Sequence, residues 1–106
     1  MLEVHKDNFE AEVLQAEGLV LVDFWGPKCE SCLAVMPDVE ALAEKYGDRL
    51  KFCKLNTQGN RRLAISQKVL GLPVIAFYRN GEKIDELAKD DVTKENIEAK
   101  ILELLA

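Results

Sequence analysis

Val20-Leu21-Val22-Asp23-Phe24-Trp25-Gly26-Pro27-Lys28-Cys29-Glu30-Ser31-Cys32 changes character twice along its length. Up to Trp25 it is apolar, β-branched or aromatic apart from Asp23, which reads as a buried strand. Gly26-Pro27 then breaks the run with a turn signal. Two cysteines three residues apart follow and lead into a long helical pattern. A Cys-x-x-Cys pair between a strand and a helix is the redox form of cysteine spacing rather than the metal form. With an acid inside the preceding strand, the stretch has the parts needed for thiol–disulfide chemistry.

Working outward, the apolar strand spans Leu19 to Trp25. Cys32, Val35, Met36, Val39, Leu42, Ala43 and Tyr46 recur at three- and four-residue steps. They predict an amphipathic helix from Glu30 to Tyr46, closed by Gly47, with Met36 in the core. Pro37 should kink that helix, because its ring removes a backbone donor and crowds the preceding turn. Upstream, Leu2 to His5 is a short strand. Asp7 with Glu10 three residues on reads as the capped start of a helix that carries Phe9, Val13 and Leu14 on one face and ends at Gly18. Downstream, Lys51 to Asn56 is a second central strand and Arg61 to Leu70 a shorter helix. Pro73 opens an apolar strand over Val74 to Tyr78. Asn80-Gly81 is the strongest short hairpin signal, since a type I′ turn needs positive φ at both central positions. Glu82 to Ala88 returns as a more polar edge strand, and a last helix starts around Thr93. The order β-α-β-α-β-α-β-β-α predicts an α/β domain with a mixed sheet flanked by helices on both faces.

A chain of 106 residues fits one domain spanning 1–106. It is 48% apolar and 31% charged, enough to bury a core without a metal or disulfide staple. Its net charge of -5, with no basic cluster beyond pairs such as Arg61-Arg62, argues against nucleic-acid binding. Neither a signal-peptide pattern nor an apolar run of membrane-spanning length is seen, so a cytoplasmic location is expected. A structural disulfide does not persist in that reducing compartment, which leaves catalysis or metal binding for the cysteine pair.

Cys29 falls at the first turn of the long helix, where free N–H groups and the positive dipole end favour a thiolate. Lys28 adds a positive charge and Glu30 opposes it, so both tune that thiol. Cys32, one turn on, is placed to attack a mixed disulfide at Cys29. This makes Cys29 the attacking thiol and Cys32 the resolving one; the bland alternative is a pair of core cysteines. Asp23 is either buried, with a raised pKa suited to taking the proton of Cys32, or turned to a wet strand end. Lys54 on the neighbouring strand could pair with it and restrain that rise. Trp25 covers the site or is a large core aromatic. A zinc site is disfavoured within one chain because only Cys53 and His5 remain as soft ligands, neither in a second paired motif. Cys53 reads as a buried small hydrophobe, and Arg61-Arg62 as a solvated helix face.

Several motifs beyond the cysteine pair resemble the thioredoxin family over essentially the whole length. They are Val22-Asp23-Phe24-Trp25, Met36-Pro37, Lys54-Leu55-Asn56, Gly71-Leu72-Pro73 and Tyr78-Arg79-Asn80-Gly81-Glu82. The resemblance implies a thioredoxin fold and reduction of protein disulfides by a monomer with no bound cofactor beyond its Cys29–Cys32 disulfide. Its implied partners are protein disulfide substrates and a flavin-dependent reductase, NADPH- or ferredoxin-linked. It also implies that Pro73 is cis and packs against the cysteines, whereas the bare sequence favours a trans proline. The backbone of Leu72 and Pro73 then binds an extended substrate segment, which makes Trp25, Gly26, Pro27, Leu72 and Pro73 the candidate substrate-binding residues.

The chain departs from the family pattern at the site. Lys28-Cys29-Glu30-Ser31-Cys32 stands where thioredoxins usually read Trp-Cys-Gly-Pro-Cys, and Ala88-Lys89-Asp90-Asp91 lacks the expected glycine. The residues between the cysteines set thiolate stability and so the reduction potential. Atypical thioredoxins of anaerobic bacteria carry altered sites of this kind, which raises a second reading: a dedicated electron carrier with its own flavin-dependent reductase. A non-catalytic interaction module or an inter-chain metal site is the alternative from a different class.

Overall fold

The computed structural model describes residues 1–106. Five strands, β1 (Leu2–Val4), β2 (Val20–Trp25), β3 (Lys51–Asn56), β4 (Val74–Arg79) and β5 (Glu82–Ala88), form one sheet in the order β1-β3-β2-β4-β5. β1 and β2 run parallel to β3, whereas β4 runs antiparallel to both β2 and β5, so the sheet is mixed. Three α-helices, α1 (Glu30–Tyr46), α2 (Arg61–Ser66) and α3 (Lys94–Leu105), flank it.

Strand alternation explains the two layers. Val20, Val22 and Phe24 of β2 face a core shared with Val13 and with Ala64 of α2. Leu21 faces the opposite core, with Val39 and Leu42 of α1 and Ile97 and Ile101 of α3. β2 therefore lies between two apolar layers, each fully buried Val, Leu or Phe contributing about 1.5–3 kcal/mol relative to exposure. By the same alternation Asp23 falls on the α1 side of the sheet, as does Lys54 of β3, and the two are register partners.

α1, β3 and β5 have the expected bounds. Asn80 and Gly81 both take positive φ, 55° and 81°, as the hairpin signal requires. Thr93 accepts a hydrogen bond from the Asn96 N–H and caps α3. Pro37 lies on an exposed part of α1, which continues through it as one helix.

Four expectations need correction. Asp7 caps no helix: Asn8 Oδ1 accepts the His5 N–H at 2.7 Å instead, and the segment forms only a short π-helix over Glu10–Leu14. α2 ends at Ser66 rather than Leu70, because Lys68 takes a left-handed φ of 63° that a helix cannot continue through. Met36 is half-buried, since its neighbours Val35 and Val39 take the core-facing positions. The first strand stops at Val4 and leaves His5 exposed.

Candidate active site

The break at Gly26-Pro27 ends β2 and α1 begins four residues later, so Cys29 occupies the N-cap of α1 in extended conformation (φ −95°, ψ 103°). Its sulfur accepts a hydrogen bond from the Cys32 N–H at 3.2 Å, one of the N–H groups a helix start leaves unpaired. Cys29 and Cys32 are joined in a disulfide with a Cα–Cα distance of 5.2 Å. Cys29 is half-buried whereas Cys32 is fully buried. Ser31 Oγ lies 3.6 Å from the Cys29 sulfur.

The end of β2 is fastened to the end of β3. The Trp25 carbonyl accepts both the Thr57 N–H, at 2.8 Å, and the Thr57 hydroxyl, at 3.1 Å. Gly26 is closely approached here: a Cβ would stand 3.3 Å from Leu72 Cδ1 and 3.4 Å from Thr57 Oγ1. The Leu72–Pro73 bond is cis, Pro73 is buried, and its carbonyl accepts the Lys89 N–H at 2.9 Å. Lys89 adopts a left-handed φ of 54° where a glycine was expected.

Asp23 is fully buried on the α1 side of the sheet. Neither of its carboxylate oxygens has a hydrogen-bond partner, and burial pushes its pKa up from 3.8 to about 7. Lys54 opposes this rise by its charge, but it forms no ion pair with Asp23, so the expected pairing is replaced by a weaker through-space attraction. Trp25 Nε1 is the other buried side-chain atom without a partner.

A groove of about 480 Å³ opens beside the disulfide and brings together Gly26, Pro27, Lys28, Cys29 and Leu72. Asp23, Trp25, Glu30, Cys32, Lys54 and Pro73 do not line it. Ile65, Leu70 and Arg61 do, and sequence reasoning missed all three as site residues. Leu70 is 83% exposed, which no pattern in the segment signals. Cys53 lies in the core on the other side of the sheet from Asp23, and burial raises its thiol pKa to about 11, which makes it inert. No three His, Cys, Asp or Glu side chains come together as a metal site. No helix is long and apolar enough to cross a membrane.

A dithiol at a strand-to-helix junction, with one sulfur at a helix N-cap and a buried acid in the strand before it, defines a thiol–disulfide oxidoreductase. Comparison with known proteins gives the family. The thioredoxin family model matches residues 1–103. The thioredoxin of Acetoanaerobium sticklandii is 55% identical over 95% of this chain and 96% of its own. That of Peptoclostridium acidaminophilum is 56% identical over 95% and 92%. The thioredoxin of Porphyra purpurea is 37% identical over 74% and 73%. The chain belongs to the thioredoxin family, and thiol–disulfide exchange is its chemistry.

Proposed function

We propose that the chain acts as a monomeric, single-domain cytoplasmic reductant of protein disulfides, with Cys29 attacking, Cys32 resolving and Asp23 managing the proton. The observation that carries this reading is the asymmetry of the pair: Cys29 is only half-buried and its sulfur receives a helix N–H, while Cys32 is fully buried. In the reduced chain that N–H and the positive helix end favour a Cys29 thiolate. The thiolate attacks one sulfur of a substrate disulfide; a chain–substrate disulfide forms and the other substrate sulfur leaves as thiolate. Cys32 then gives up its proton and attacks the Cys29 sulfur. The Cys29–Cys32 bond forms, the second substrate thiolate leaves, and two electrons have passed to the substrate.

Asp23, with a pKa of about 7, is suited to hold the Cys32 proton at neutral pH and release it later. The dithiol itself carries both electrons, so the cycle needs no bound cofactor. A flavin-dependent reductase is the partner that returns the electrons. Lys28 and Glu30, both exposed beside the pair, and Lys54 tune the charge of the site. Gly26, Pro27 and Leu72 line the groove that receives the substrate strand, and Trp25 and the buried Pro73 adjoin them in the chain.

The Cys32→Ser variant tests the roles. It should hold a substrate in a covalent complex visible as an added mass without reductant, and multiple turnover should stop. Cys29→Ser should capture nothing. Normal turnover by Cys32→Ser, or capture by Cys29→Ser, would reverse the assignment.

A further inference from the structure

The groove beside Cys29 has an uneven charge that neither the net charge nor the cysteine motif explains. Its floor and walls include Pro27, Ile65, Leu70 and Leu72, and two of its lining residues, Lys28 and Arg61, carry positive charge. No carboxylate lines it. Lys28 and Arg61 are both exposed and neither belongs to an ion pair, so both charges are free to meet a partner. Two free cations thus flank one apolar groove, next to the reactive sulfur, on a chain whose overall charge is -5. Within the groove they mark a local reversal of sign; Glu30, the exposed carboxylate next to Cys29, is not part of its lining.

We propose that this groove selects disulfide partners whose reactive cysteine is flanked by an apolar side chain and acidic residues. The apolar side chain seats on Ile65, Leu70 and Leu72, and the partner's carboxylates meet Lys28 and Arg61. The proposal rests on Cys29 being the attacking thiol. Complementary charge at a docking rim acts mainly on encounter and partner choice, and salt weakens it.

The test uses the reduced full chain and two peptides of equal length, each with one leucine and one cysteine linked as a disulfide to 2-thiopyridine. One carries glutamates beside the cysteine and the other lysines. The Cys29 thiolate attacks the peptide sulfur, the peptide–pyridyl disulfide breaks, and pyridine-2-thione leaves with the electron pair and is read by absorbance. Each rate is divided by that of the same peptide with dithiothreitol, whose attacking thiolate carries no charge beyond its own, which removes intrinsic differences in peptide reactivity towards a thiolate. The glutamate peptide should react about tenfold faster at low ionic strength, and the preference should shrink to about two- or threefold in high salt. Replacing both cations, Lys28→Glu with Arg61→Glu, should invert the preference; because the readout is a ratio, a general loss of activity does not mimic it. Equal rates, a lysine preference, or a ratio unmoved by the double variant would overturn the proposal while leaving Cys29 as nucleophile. No thione from either peptide would instead remove the Cys29 assignment, and this proposal with it.

Discussion

Asp23 and Asp85 are aspartates in one sheet, on strands separated only by β4, and their surroundings drive their acidities in opposite directions. Asp85 on β5 meets Lys100 of α3 at 2.8 Å and accepts the Glu86 N–H at 2.8 Å, which holds its carboxyl below the usual range. Asp23 has no donor at all, and burial lifts it to about 7. The same division runs through the molecule. Away from the site, several charges are paired and tie elements together: Glu98 of α3 takes Lys45 of α1, and Lys51 of β3 takes Glu12. All three buried side-chain polar atoms without a partner belong to Asp23 and Trp25, at the end of β2 that leads to the dithiol. A buried polar group left unpaired costs about 1–3 kcal/mol. Their concentration at one strand end marks where stability yields to reactivity.

The largest expected effect comes from Asp23→Asn. Between 3.8, its pKa in the free chain, and about 7 in the fold, the native state holds a proton that the unfolded chain has lost. Stability therefore falls as pH rises across that window and levels off above it, by roughly 4 kcal/mol in all. The variant removes this loss, so it should be more stable than the parent by up to about 4 kcal/mol near pH 8, with the gap closing towards about pH 4. Urea unfolding at the two pH values measures it. An unchanged gap would mean that Asp23 is not held as a strained acid.

Lys54→Met sharpens the contrast by removing the one charge that restrains Asp23. The carboxyl should then titrate above about 7, because the attraction that holds it down is gone. Following the Asp23 carboxyl carbon by NMR through the titration gives the number directly. A downward move would show that Lys54 acts through something other than its charge.

The smallest effect belongs to Asp85→Asn. A lowered pKa contributes stability above the free-chain value of 3.8 and loses it as pH falls through the folded value. The pair with Lys100 is partly exposed, so its loss should cost less than about 1 kcal/mol at neutral pH, less in high salt, and nothing in strong acid. A gain in stability like that expected at Asp23 would erase the distinction between the two regions.

The parts of this contrast that sequence discloses are local ones. β3, α1 and β5 begin and end where apolar periodicity meets a breaker, and the Asn80-Gly81 turn states its own geometry. The cysteine pair and the acid before it stand within ten residues of one another, so a single window contains them. The first helix was misjudged because Asn8 binds the chain ahead of it, a competition that a capping pattern around Asp7 does not display. The groove was invisible because Lys28, Arg61 and Leu70 come from three separate segments and share no period. That Lys54 stands in register with Asp23 yet makes no ion pair depends on side-chain reach, which no spacing encodes.

The sealing of Cys32 beneath an accessible Cys29 has a consequence for traffic. With Cys29 as the proposed attacking thiol, whatever supplies electrons and whatever accepts them must call at the same sulfur. The two can never be served together, so the chain works by taking turns, leaving one host before it visits the next. Such a courier is ill served by a tight grip on either: an acceptor that lingers after exchange blocks recharging, and a donor that lingers blocks delivery. Departure, as much as capture, limits how fast one copy can circulate.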